Sequence, residues 1–242
     1  MTIKKYVGIS LFLFGITNGI FSSAQSFTDE GKTYPLAADG NRYVVSGFAP
    51  INAVDDETIF ANAILWTVQN VCPALREGIS EVNVSAKNFT FNMTLASNAD
   101  SNQRNIYHTK VKLQVVEGKL IYYLSNLQIE SPAVMMKKLT PMEKLQPDKK
   151  EAHKEIMDDF VQVESQVLNK MFDFVATNQI PPITHWNEIN AGRPVKDMTE
   201  VECLIAFGKP QLESESNGEI QWTYSSSFYL FFKDGLLKTF IK

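Results

Sequence analysis

The stretch DKKEAHKEIMDDFVQVESQVLNKMFDFVATN, residues 148–178, decides how the rest of the chain is arranged. Its apolar residues fall at Ala152, Ile156, Phe160, Val163, Val167, Met171 and Phe174. Steps of four and three trace one face of an α-helix. The opposite face carries Lys149, Lys150, Lys154, Glu155, Asp158, Asp159, Glu164 and Lys170. A helix of about thirty residues is about 45 Å long. It can bury such a stripe only against a sheet or other helices. The segments before it alternate as strands do, so the spacing predicts a long helix backing a sheet.

Lys87 to Ala96 shows the alternation most clearly. Phe89, Phe91, Met93 and Leu95 point one way and Asn88, Thr90, Asn92 and Thr94 the other. A polar side of this kind suits a sheet with one face in water. Ile106 to Val116 and Lys119 to Ile129 are two further strands, joined at the turn Glu117-Gly118. Glu81 to Ser85 is a weaker strand, and Tyr43 to Phe48 a short one. Between those two, Asp55 and Asp56 offer an N-cap to a helix whose apolar face is Ile59, Phe60, Ala63, Ile64, Thr67, Val68 and Val71. Cys72-Pro73 closes it, because the residue before proline disfavours the α region. Ser131 to Gln146 reads as a connector with one helical turn at Thr140-Pro141-Met142-Glu143. Residues 43–180 are thus expected to form an α+β layer: an antiparallel sheet backed by two helices.

This order of elements resembles the TBP-like fold, and in particular an uncharacterised TBP-like domain family of exported bacterial proteins. The residues that carry the resemblance are Val44-Val45-Ser46-Gly47, the helix around Trp66, the hairpin from Tyr107 to Asn126, and the long last helix. The resemblance implies a fold and an envelope location. It implies no activity and no catalytic residues.

Residues 186–242 read as a second, smaller module. Thr199-Glu200-Val201-Glu202 has the form of a capping box. Val201, Leu204 and Ile205 give a short apolar face, and Gly208 with Pro210 beyond it stops the helix. Three strands are expected after it. Ile220, Trp222 and Tyr224 alternate, Ser225 to Ser227 reverses the chain, and Asp234-Gly235 is a strong hairpin dipeptide before Leu236 to Ile241. The layout resembles the SmpA/OmlA (BamE-like) outer-membrane assembly lipoproteins and the β-lactamase inhibitory protein. Gly192, Met198-Thr199-Glu200-Val201, Phe207-Gly208-Lys209-Pro210, Trp222-Thr223-Tyr224 and Phe232-Lys233-Asp234-Gly235-Leu236 carry that likeness. It implies a module used for protein contact in the cell envelope.

The first residues are expected to be removed. Lys4 and Lys5 precede the apolar run from Val7 to Ile20, and Ser22-Ser23-Ala24 supplies small residues for cleavage. We read 1–24 as a signal peptide and 25–42 as a polar leader. The apolar run is short for a membrane span and is broken by Gly8, Ser10, Gly15, Asn18 and Gly19. No second long apolar run follows, so no transmembrane span is expected in the mature chain. The full chain has a net charge of −4; loss of Lys4 and Lys5 leaves 21 basic and 27 acidic residues, a net −6. That balance argues against nucleic acid as a partner. In an oxidising compartment Cys72 and Cys203 are permitted, though not required, to pair.

No residue pattern carries chemistry. His108, His153 and His185 lie on a strand, on the charged side of a helix start, and after a Pro-Pro loop, with no metal-ligand spacing. Asp158 and Asp159 are adjacent on a helix and diverge by about 100°. No metal and no cofactor is expected, and the chain is read as a non-enzymatic envelope protein that meets another, unidentified envelope protein. In the strand from Phe228, the residues Phe228, Leu230 and Phe232 share one face, and Tyr229 and Phe231 the other. One short helix covers only one face of such a sheet. The other face packs on the first domain or meets a partner; for the second case the candidate contact residues are Trp222, Tyr224, Tyr229 and Phe231. A rival expectation is an apolar ligand or lipid held in a helix-grip cavity lined by Phe89, Phe91, Tyr122 and Tyr123. A hydrolase site assembled from distant residues ranks last.

Overall fold

A computed structural model describes residues 27–29, 32–34, 43–51, 54–97, 104–131, 136–145 and 150–242. The expected signal peptide lies outside the described residues. Within the leader, β1 (Phe27–Asp29) and β2 (Lys32–Tyr34) pair as a short antiparallel hairpin.

The main sheet has six strands: β3 (Val45–Pro50), β4 (Ile79–Asn83), β5 (Asn88–Ala96), β6 (Ile106–Val116), β7 (Lys119–Ser131) and β8 (Met136–Pro141). Their order is β3-β7-β6-β5-β4, and β8 continues the edge that β3 begins, pairing with the last residues of β7. The central hairpin turns at Glu117 and Gly118, both in the left-handed region at φ 50° and 71°, as a two-residue turn between twisted strands requires. The connector carries its expected helical turn, a 3-10 turn at Met142–Lys144, and also holds β8, which was not expected. β7 runs past the end of β3, whose pairing stops at Leu124, and leaves backbone groups on that edge for β8 to pair with.

Two helices cover one face of this sheet. α1 (Asp56–Asn70) starts at Asp55, whose carboxylate accepts from the amides of Glu57 and Thr58. The Asp56 carboxylate accepts from the amide of Gly118 at 2.8 Å, which ties the helix start to the β6–β7 turn. α2 (Glu151–Thr177) is the long helix that the opening stretch predicts. Its buried stripe includes Ile156, Met157, Phe160, Val163, Leu168, Met171 and Val175. Ala152 is exposed and Val167 and Phe174 only half-buried, because the stripe is wider than single steps of three and four describe. His153, expected on the charged side, is buried; that burial, and Lys150 nearby, lower its pKa.

The small module follows without a break in the core. α3 (Trp186–Ala191) ends at Gly192, which takes the left-handed conformation at φ 58°. α4 (Glu200–Phe207) follows, then a four-stranded antiparallel sheet ordered β12-β11-β10-β9. Its strands are β9 (Leu212–Ser216), β10 (Glu219–Ser225), β11 (Phe228–Lys233) and β12 (Leu236–Ile241). The expected three strands are therefore four. β9 joins β10 through Asn217-Gly218, another pair of left-handed residues.

α1 has no solvent side over most of its length: Ile59 to Val68 are all buried. α2 and the main sheet take one part of its surface, and the small module takes another. Trp186 packs on Phe60 with ring centroids 5.5 Å apart. A Cβ on Gly208 would fall 1.7 Å from the Pro73 carbonyl oxygen, so the end of α4 lies directly on the chain leaving α1. Arg76 donates to the carbonyl of Ala191 at 3.0 Å. Asn62, fully buried on α1, donates to the carbonyls of Val175 and Asn178 and accepts from the Asn178 side chain. It thereby satisfies carbonyl groups at the end of α2 that a helix cannot pair internally. One apolar core contains Phe60, Leu113 and Phe160 together with Cys203, Trp222 and Phe232.

Candidate binding surface

The small sheet is held by its helix, and the helix by one carboxylate. Thr199 and Glu202 form the expected capping box: the Glu202 amide donates to the Thr199 hydroxyl at 3.1 Å, and the Thr199 amide donates to Glu202 Oε2 at 2.7 Å. The other oxygen reaches further. Glu202 Oε1 accepts from the amides of Thr184 at 2.7 Å and His185 at 2.9 Å. His185 Nδ1 lies 3.0 Å from both oxygens. Burial raises the pKa of this carboxyl, but the amide donors and His185 outweigh it, and the net shift is downward. Glu202 therefore clamps the Pro-Pro connector onto α4 while it caps that helix.

The sheet then presents two unlike faces. Trp222, Leu230, Phe232 and Leu237 are buried toward α4. Trp222 and Phe232 are in ring contact at 4.6 Å. Tyr224 also turns inward, with its hydroxyl donating to the Gly208 carbonyl at 2.9 Å and its ring stacked on Phe228. Burial raises its pKa, with a further contribution from Cys203. Of the four expected contact residues, Trp222 and Tyr224 thus belong to the core side, where alternation along β10 sends them.

Tyr229 and Phe231 point to the other side and stand outside the packed core. Strand register puts them in a surface row. Leu212, Thr223, Tyr229 and Ile241 are successive cross-strand partners over all four strands. Phe231 neighbours Gln221 on one side and Thr239 on the other. Leu212 is 62% exposed and Ile241 55%, so the row begins and ends in solvent-exposed apolar side chains. The sequence reading missed these two, Leu212 because β9 was not recognised.

The four aromatic residues proposed to line a cavity do not come together. Phe89 and Phe91 are buried beneath α1, stacked at 5.8 Å, with Phe60 against Phe89 at 5.9 Å. Tyr122 faces α2, 5.9 Å from Phe172. Tyr123, its neighbour on a strand, is 38% exposed on the opposite face of the sheet. Close ring packing occupies the space that the first three would have lined.

Polar groups in the core serve the core. The Tyr107 hydroxyl lies 2.6 Å from Asp159 Oδ2 and donates to it. Asn105 donates to the same oxygen at 2.9 Å, so Asp159 works apart from the exposed Asp158. Burial and the Asp159 bond raise the Tyr107 pKa. The three histidines stay apart: His108 bridges Thr94 and Glu130, His153 is buried on α2, and His185 meets Glu202. Among the described residues no three His, Cys, Asp or Glu side chains are grouped to hold a metal ion. Cys72 and Cys203 are both buried free thiols, with pKa values raised by burial. No described helix is long and apolar enough to cross a membrane.

No family model matches the chain, and no curated protein matches it. Solved structures do. A TBP-like protein from Parabacteroides distasonis is similar at 11% identity and a TM-score of 0.46, over 57% of this chain and 96% of that one. A DUF4468 family protein from Bacteroides ovatus is similar at 11% identity and a TM-score of 0.41, over 60% of this chain and 90% of that one.

Proposed function

We propose that this is an exported, non-catalytic binding protein that meets a partner protein of the cell envelope through the outward face of its C-terminal sheet. The observation that carries this reading is the row Leu212, Thr223, Tyr229 and Ile241, with Phe231 beside it, on the face turned away from α4. Aromatic side chains on a rigid sheet bring large contact area at small entropy cost. Glu202 and the continuous core hold that sheet firmly, so a partner would dock on a preformed surface. The BamE-like pattern read from Met198 to Leu236 agrees with a contact role in the envelope.

The test is capture from native envelope extract by the full mature chain, beside the double variant Tyr229→Ser/Phe231→Ser. A stoichiometric partner retained by the first and lost by the second, with the thermal midpoint preserved, supports the reading. Equal capture by both sinks it. Collapse of the variant's fold would assign the two rings to packing instead.

A further inference from the structure

We propose that the open face of the six-stranded sheet binds an acidic polysaccharide. Alternation sends Phe91, Val111, Leu113 and Tyr122 under the helices, and their neighbours to the opposite face. Across that face one row of partners reads Thr90, which is itself buried, then Lys112, Tyr123 and Ser46. The adjacent row reads Asn88, Gln114, Ile121 and Phe48. Phe48, Ile121 and Tyr123 stand outside the core that Val45 and Ala49 of the same edge join.

Charge on this face is opposite in sign to that of the whole chain. Its two marginal acids are already engaged. Glu81 accepts from Thr90 at 2.8 Å and sits 3.6 Å from Lys110. Glu130 lies 3.4 Å from His108. Lys112 and Lys119 are exposed, and no described carboxylate lies within ion-pair distance of either. Lys119 lies over the Phe48 ring, 5.7 Å from its centroid. The chain as a whole carries −4.

These features select the occupant. Two exposed lysines, of which Lys112 also acts on Glu81 at longer range, favour an anion but are too few for a membrane surface, which takes clusters of about four to eight. Side-chain amides both donate and accept, as a hydroxyl-rich ligand requires. Tyr123 is exposed and offers a flat apolar ring to sugar C–H faces, while its diagonal neighbour Phe48 is half-buried under the Lys119 ammonium. An open sheet face suits an extended chain better than a small molecule, which takes a concave site.

The experiment titrates the full chain with polygalacturonate and with chondroitin sulfate by isothermal calorimetry, with neutral dextran as control. Saturable, salt-sensitive binding to an acidic polymer and none to dextran is expected. Lys112→Glu/Lys119→Glu and, separately, Tyr123→Ala should each weaken it by about tenfold or more, with thermal midpoints unchanged. Tyr229→Ser/Phe231→Ser, on the other sheet, should leave it intact. No saturable binding to either polymer, or binding that both sets of variants retain, overturns the proposal. Equal and variant-sensitive binding of an oligo-dT strand or a poly-Glu peptide also overturns it, and reassigns the face.

Discussion

Glu202 Oε1 takes both the backbone amide of His185 at 2.9 Å and its ring Nδ1 at 3.0 Å, from a side chain with no solvent exposure. Removing the carboxylate leaves the amides of Thr184, His185 and Thr199 without their acceptor. Glu202→Ala should therefore cost about 3 kcal/mol or more, read as a lower urea midpoint at unchanged slope. A loss below about 1 kcal/mol would mean that water replaces the carboxylate freely.

The same group predicts a pH dependence. Its folded pKa lies below the unfolded value of 4.5. Its contribution is complete above that value and is lost as pH falls through the lower folded one. The stability gap between the native chain and Glu202→Gln should be flat at neutral pH and narrow only in acid. His153 acts higher up: with its folded pKa below 6.5, folding excludes the proton that the unfolded chain binds. Stability should fall as pH drops from above 6.5, and His153→Asn should flatten that part of the profile.

Two glycines differ in what a side chain there would meet, and Gly208 adds a ψ of −165° that only glycine adopts readily. Gly208 and Gly218 have nearly the same φ, 77° and 75°. A Cβ at Gly218 meets nothing within 4 Å, whereas one at Gly208 collides with the Pro73 carbonyl. Gly218→Ala should cost about 1–2 kcal/mol. Gly208→Ala should cost well over that, or abolish soluble expression. Equal midpoints in thermal denaturation would refute the contact between α4 and the segment after α1.

The two faces of the small sheet should respond differently to truncation. Trp222 is 97% buried, so Trp222→Ala should cost about 3–5 kcal/mol. Tyr229→Ser and Phe231→Ser, outside the core, should each cost about 1 kcal/mol or less. Chemical denaturation of the three variants checks the assignment of faces.

Cys72 and Cys203 should resist alkylation in the folded protein and react fully once it is unfolded. Burial both shields the thiols and raises their pKa, which suppresses the reactive thiolate. Rapid labelling of either under native conditions, followed by mass spectrometry, would contradict that.

Strong local signals made much of the layout legible. The α2 stripe, the Asp55 cap, the Thr199 box and the turns at Glu117-Gly118 and Asp234-Gly235 all recur in the structure. β9 was missed because Leu212-Glu213-Ser214-Glu215-Ser216 is an edge strand, exposed at every residue, with no apolar alternation to read. The signal available was Asn217-Gly218, a hairpin dipeptide directly before β10. α3 is six residues long, too short for periodicity. Faces were harder than elements. Alternation separates Tyr122 from Tyr123 and Tyr229 from Leu230, but aromatic residues on both sides of a strand hide which side meets the core. Glu202 was recognised as a cap, while its bonds to Thr184 and His185 depend on how the connector folds back.

The burial of α1 on nearly every side also bears on how this chain can be cut. A gene fragment ending before Trp186 would leave Phe60 without its ring partner and bare the ground on which Gly208 rests. Such a fragment would be sticky, and anything it captured or failed to capture would report its own damage. Point changes on the outer faces of the two sheets are the cleaner scalpel, because they dissect what the protein touches without dismantling what it is.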